Sequence, residues 1–221
     1  MERQRAKEMI NSYKYSPPLV FRKMFNRFIW ESKIPKILFT FDDGPNPSTT
    51  TRILNELSEQ NVKAVFFCVG ENIKKYKSLV NDILSEGHTI ANHTLQHTKL
   101  TGLNNSEIER SLAEVNNFMK NSFGIEIKYF RPPYGRFTIG LNKILSGLGM
   151  QNVMWSLLTY DYKNDINIVK FALNNYLSSN SIIVFHDSKK SGDIIVDSIR
   201  FAVDKINKKG YSIGTPAECL K

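Results

Sequence analysis

Cysteine is nearly absent from this chain of 221 residues: Cys68 lies in an apolar run and Cys219 near the far end, and there are no others. Two distant cysteines build no disulfide framework, so both are expected as free thiols, with Cys68 a small core residue. A glycine-rich phosphate loop, a serine nucleophile elbow and a Cys-x-x-Cys pair are also missing, which sets aside the chemistries those motifs carry. No apolar run is long enough to span a membrane, and Met1–Ile10 is too charged to form the core of a cleavable leader. Localisation therefore stays open between cytoplasm, membrane surface and envelope. Nothing resembles a nucleic-acid reading motif, so no nucleic-acid partner is expected. Histidine is scarce as well, four in all, and that scarcity makes its placement informative.

What is present begins with Thr40-Phe41-Asp42-Asp43-Gly44-Pro45, two adjacent carboxylates at the end of an apolar run. Neighbouring strand residues point opposite ways, but at a strand end, with Gly44 and Pro45 forcing a turn, both can reach one cleft. One can then hold a metal while the other handles a proton. His93-Thr94-Leu95-Gln96-His97 carries two of the four histidines, spaced by four, the spacing that shares one face of a helical turn. With one Asp they make a two-His, one-carboxylate set with positions left open for water and substrate, as catalytic zinc or iron sites require.

A length of 221 residues and a hydrophobic content of 41% fit one sizeable core. Strand patterns fall at residues 37–41, 64–69, 89–91, 129–130, 153–156, 181–185 and 211–213. Helical patterns fall at 49–59, 74–86, 106–123, 139–147, 166–177 and 193–208. Ser106-x-x-Glu109 reads as a capping box, and Lys208-Lys209-Gly210 as a basic last turn closed by glycine. Asp165 and Asp193 read as helix-start residues. Alternating strands and helices argue for parallel pairing, and the acidic and histidine motifs fall at strand C-terminal ends, where barrel active sites are assembled. The fold class is α/β, either a barrel or an open parallel sheet.

Taken as a set, the motifs resemble those of the NodB-like polysaccharide deacetylases, carbohydrate esterase family 4. To the two stretches above are added Arg131-Pro132-Pro133-Tyr134-Gly135, Asp161-Tyr162 and Val184-Phe185-His186-Asp187, in the family's order and spread over about residues 36–215. The resemblance implies a distorted (β/α) barrel of about seven parallel strands. It also implies a hydrolase that removes N-acetyl groups from amino sugars of a glycan. It assigns Asp43, His93 and His97 to a metal, usually Zn2+, with Co2+ or another divalent ion as a substitute. Asp42 becomes the general base, and His186 the general acid, oriented by Asp161. Arg131 holds Asp42, the Tyr134 backbone N–H binds the oxyanion, and Tyr162 and Val184 line the substrate pocket. Tyr162 replaces a common Trp, Val184 a common Leu and Leu158 a common Asp, changes expected to alter substrate fit rather than chemistry. The same site could instead hydrolyse O-acetyl esters or a small amide, and a catalytically inactive glycan-binding module is a third reading. Outside these motifs, His88 reads as structural and Asp187 as a group that bonds backbone of the following loop.

The charge is uneven. Thirty Lys and Arg against 21 Asp and Glu give +9, of which residues 1–36, with nine basic and three acidic side chains, hold +6. In this arm, residues 1–35, Phe21, Met24, Phe25, Phe28 and Ile29 follow helical spacing beside Arg22, Lys23 and Arg27. They predict a basic amphipathic helix after Pro17 and Pro18, separated by Pro35 from the catalytic domain, residues 36–221. It either packs on the barrel or makes a membrane-surface contact through Phe21–Trp30.

Overall fold

The computed structural model describes residues 15–221, so the expectation for Met1–Ile10 lies outside the described residues. Its strands are β1 Lys36–Asp42, β2 Val65–Cys68, β3 Thr89–Asn92, β4 Tyr129–Phe130, β5 Gln151–Asn152, β6 Leu157–Leu158, β7 Ile182–His186 and β8 Ser212–Ile213. Seven of them form a half-barrel in the order β5-β4-β3-β2-β1-β7-β6, every neighbouring pair parallel, and β8 joins the first residues of β1. The helices are α1 Leu19–Met24, α2 Thr50–Glu59, α3 Gly70–Lys75, α4 Lys77–Ser85, α5 Asn105–Phe123, α6 Leu141–Gly147, α7 Ile166–Tyr176, α8 Ile195–Lys208 and α9 Pro216–Leu220. No helix among the described residues is long and apolar enough to cross a membrane.

Side-chain alternation along the strands builds two layers. Ile37, Phe39 and Phe41 of β1, with Phe66, Ile183 and Phe185, pack outward against helix residues such as Ile53, Leu112 and Ile199. Leu38, Val65, Phe67, Ala91, Val153 and Ile182 face the other way and fill the barrel interior. The same parity carries upward, so Thr40 and Asp42 follow Leu38 on the inner face, His93 follows Ala91, and Val184 and His186 follow Ile182. Sequence parity thus decides which residues reach the C-terminal mouth of the barrel.

Three local expectations are corrected. The helix expected over 74–86 is two, α3 and α4, because Tyr76 adopts φ −119° and ψ 55° between them. The capping box of α5 is Asn104 with Glu107, not Ser106 with Glu109: Asn104 Oδ1 accepts the Glu107 N–H at 3.0 Å and Glu107 Oε2 accepts the Asn104 N–H at 2.8 Å. Asp165 does cap α7, accepting the Asn167 N–H at 2.9 Å. Asp193 caps nothing: Ile194 stands at the start of α8, and Asp193 accepts a hydrogen bond from Asn164 at 2.7 Å. As expected, Gly210 closes α8 with φ 67°.

The run expected as one strand over 153–156 is the opening between β5 and β6. The arm fills it. Ile29 N–H donates to Asn152 C=O at 2.9 Å and Met154 N–H to Ile29 C=O at 2.8 Å, while Ser32 N–H reaches Asn180 C=O at 2.9 Å. Phe28 and Trp30 are buried in the core. The expected helix over 21–29 is therefore shorter: α1 ends at Met24, and Phe25 leaves helical geometry with φ −109° and ψ 49°. Phe25 and Phe28 pack on Phe137, both at 4.8 Å between ring centroids.

Candidate metal and proton-transfer site

A cavity of about 510 Å³ opens at the C-terminal ends of the strands, lined by Asp42, Asp43, His93, His97, Tyr134, Tyr162, Val184 and His186 among others. Arg131 and Asp161, both fully buried, stand directly behind it. The ten residues singled out in the sequence therefore meet at one place.

One donor each from Asp43, His93 and His97 lies within 4.8 Å of the other two. Asp43 Oδ1 is 3.1 Å from His97 Nε2 and 3.6 Å from His93 Nε2. His93 Nδ1 lies 2.7 Å from Arg131 C=O. A carbonyl only accepts, so Nδ1 carries the hydrogen and the Nε2 lone pair faces Asp43. Two imidazole nitrogens and one carboxylate oxygen, aimed together with room beside them, fit a catalytic divalent site. Burial alone would raise the Asp43 carboxyl pKa, but the His97 hydrogen bond and the charges of His186, His93 and His97 outweigh it and hold Asp43 well below the usual range. Burial lowers the pKa of His93, keeping it neutral as a ligand must be.

The histidines do not converge by helical geometry. Residues 93–98 are irregular, and Thr94 and His97 take left-handed conformations, φ 67° and 55°. Thr94 C=O accepts from Gly70 N–H and Leu95 C=O from Glu71 N–H, both at 2.9 Å, so the start of α3 pins this turn.

Arg131 is held on all sides. It donates to Asp42 Oδ1 at 2.7 Å, Thr40 Oγ1 at 2.8 Å, Val153 C=O at 2.9 Å and Met154 C=O at 2.8 Å, with its guanidinium 4.0 Å from the Phe67 ring centroid. One side chain thus fixes the Asp42 carboxylate and ties β1 to the β5–β6 opening. Asp42 Oδ2 accepts from no described residue. On the opposite wall, Asp161 Oδ1 lies 2.7 Å from His186 Nδ1, and Asp161 Oδ2 accepts the His186 N–H at 2.7 Å. Burial disfavours the charged imidazole, but Asp161, followed by Asp43 and Asp42, overrides that and raises His186 to about 9. The pairing with Asp161 favours the protonated imidazole and ties up Nδ1, leaving Nε2 for the cavity.

Tyr134 has φ 59° and ψ 11° in a short turn over Pro133–Gly135, its ring against His97 at 4.7 Å between centroids, and no described residue accepts from its backbone N–H. At Gly135, also with positive φ, a Cβ would lie 2.3 Å from the Trp155 ring. Tyr162 packs edge-on to His186 at 4.8 Å.

Asp187 does not cap the following loop's backbone as expected. It is fully buried and accepts the hydroxyls of Thr49 and Thr50, both at 2.6 Å. Burial raises its pKa to about 7 against those hydrogen bonds. The cavity lining also holds Trp155, Tyr160 and Lys190, none of them singled out individually in the sequence, although Tyr160 directly precedes Asp161 and Lys190 follows His186 by four residues. His88 is buried, accepts the Ala64 N–H at 3.1 Å and does not line the cavity. Both cysteines are free and buried.

A half-barrel of parallel strands with Asp43, His93 and His97 grouped at its mouth places this chain beside the carbohydrate esterase family 4 deacetylases. The polysaccharide deacetylase family model matches residues 31–153, and the chain belongs to that family. The chain is 31% identical over 180 residues to a peptidoglycan-N-acetylglucosamine deacetylase of Bacillus cereus, covering 79% of this chain and 64% of that protein. It is 31% identical over 155 residues to a chitooligosaccharide deacetylase of Sinorhizobium fredii, covering 69% and 72%. Among solved structures, a peptidoglycan N-acetylglucosamine deacetylase in complex with 4-naphthalen-1-yl-N-oxidanyl-benzamide superposes with a TM-score of 0.84 at 27% identity, covering 90% of this chain and 95% of that one. The chain thus spans less than two thirds of the length of the Bacillus cereus relative.

Proposed function

We propose that this protein removes N-acetyl groups from amino sugars of a glycan, the reaction named for its peptidoglycan and chitooligosaccharide relatives. The observation that carries this reading is the pair of unlike proton carriers, Asp42 and His186, flanking the Asp43-His93-His97 set in one cavity. When bound by those three residues, a divalent ion, Zn2+ or Co2+, supplies Lewis-acid polarisation of the acetyl carbonyl and of water. Asp42, with Oδ1 held by Arg131, offers Oδ2 to take the proton of the attacking water. The negative charge that develops on the former carbonyl oxygen meets the Tyr134 backbone N–H. His186 gives its Nε2 proton to the departing amine, which leaves poorly without one, and Asp161 keeps that proton in place. Val184 and Tyr162 shape the space for the acetyl methyl and the sugar.

Hydrolysis of O-acetyl esters at the same site is the second reading. The Asp161–His186 ion pair favours the amide, because an alkoxide departs with far less help from an acid than an amine. Acetate release from N-acetylglucosamine oligomers and from O-acetylated xylan, compared on zinc-loaded protein, tests this. Release from the oligomers supports the N-deacetylase, release confined to xylan overturns it in favour of an esterase, and release from neither favours a binding module.

A further inference from the structure

The large hydrophobic side chains exposed among the described residues are Leu19, Val20, Phe21, Met24, Tyr134, Ile139 and Phe171. They are not scattered. Four lie on the single helix α1, with Leu19, Val20 and Met24 about two-thirds or more exposed, at 67%, 75% and 68%. Phe21 touches Phe137 at 6.2 Å between ring centroids, and Ile139, 97% exposed, follows two residues later. Phe171 meets Tyr15 at 5.5 Å, and Tyr15 in turn meets Tyr160 at 5.1 Å. Tyr160 and Tyr134 both line the catalytic cavity. The arm therefore meets the cavity lining at Tyr160, and the exposed apolar residues lie along it, on the turn that holds Ile139 and on α7.

Monomeric proteins seldom leave so large an apolar cluster in water without a use for it. The charge around this one has a sign. Lys23, Arg27 and Arg136 are exposed beside it, and Glu31 is taken up by Arg22. Apolar side chains ringed by basic ones are the pattern of a helix that lies in the headgroup layer of an anionic bilayer. We propose that α1, with Ile139 and Phe171, is a docking face for an anionic lipid surface, and that docking sets the cavity mouth against that surface. The contact differs from the one expected for Phe21–Trp30, since Phe28 and Trp30 are buried in the core. The proposal goes beyond the deacetylase reading: the glycan segments within reach would be those held at the membrane, lipid-linked or newly extruded.

The test is sedimentation of the full chain with vesicles of phosphatidylcholine alone and of an equimolar phosphatidylcholine and phosphatidylglycerol mixture. Expected are binding to the anionic vesicles that weakens as salt is raised and a loss of about tenfold in partitioning for Leu19→Glu/Val20→Glu/Met24→Glu. Ile139→Asp, at a site almost wholly in solvent, should weaken binding with no change in melting temperature, and Lys23→Glu/Arg27→Glu should remove the lipid-charge dependence. Three results overturn the proposal: no sedimentation with anionic vesicles at low salt, binding that the triple substitution leaves intact, or a dimer in solution that the triple substitution dissociates. The last would mean that a second copy of the chain covers this face. None of these readouts depends on acetate release, so the docking face and the deacetylase reading can fail separately.

Discussion

Asp42 and His186 are register partners on the neighbouring parallel strands β1 and β7. Strand parity turns both side chains to the inner face. Each is then fixed from behind by a fully buried group of opposite charge, Arg131 for Asp42 and Asp161 for His186. The pairing sets a carboxylate and an imidazole side by side at the cavity, each anchored by its own buried partner.

Replacing Asp161 by Asn should release His186. In metal-free protein, the His186 pKa, raised to about 9, is expected to fall, since burial is then opposed only by the charges of Asp43 and Asp42. NMR titration of the imidazole reads this directly. The sign for stability follows from the raised folded pKa. The contribution is fully present below the unfolded value of 6.5 and is lost as pH rises through about 9. Denaturation midpoints of the wild type should decline across that window, and those of Asp161→Asn should not.

His88 acts in the opposite direction. Burial lowers its pKa to about 4 from 6.5, so below 6.5 the unfolded chain binds a proton that the folded chain refuses. Stability should fall as pH drops from 6.5 towards 4. His88→Gln, which keeps an acceptor for the Ala64 N–H, should flatten that acid limb in urea denaturation.

Arg131→Met should cost about 3–5 kcal/mol in urea denaturation, the usual result of leaving a buried charge without its partner. Arg131→Lys should recover only part of this, because one ammonium cannot reach the four oxygens that the guanidinium holds. Full stability in Arg131→Met would contradict the bridging role across the β5–β6 opening.

At Gly44 a Cβ would lie 2.3 Å from Asp187 Oδ2. The carboxylate is clamped by Thr49 and Thr50 and cannot yield cheaply. Gly44→Ala should therefore destabilise by about 1–3 kcal/mol and weaken zinc affinity, because the shifted turn carries Asp43. Calorimetry gives the binding term and thermal melts the stability term.

Much of this was legible in the sequence because strand ends and side-chain parity are local properties. Leu38-x-Thr40-x-Asp42 and Ile182-x-Val184-x-His186 run up the inner face and end in Asp42 and His186 at the barrel mouth. What escaped depended on distant partners. The spacing of His93 and His97 matches a helical face, yet α3 holds their segment in a turn with two left-handed residues. Asp187 sits in sequence beside His186, while its partners Thr49 and Thr50 come from the start of α2. Residues 153–156 have strand composition, but they cross the opening that Ile29 and Arg131 satisfy from elsewhere. The arm stripe was apolar as read; the buried and exposed members part at Phe25, where the chain turns into the sheet.

The most direct measurement is acetate release from N-acetylglucosamine oligomers by the wild type and Asp42→Asn, each before chelation, after it, and after zinc is restored. The account predicts wild-type release that chelation abolishes and zinc returns, and release reduced by at least about a hundredfold in Asp42→Asn despite unchanged zinc binding. Chelator-resistant release, or wild-type turnover in Asp42→Asn, would contradict it.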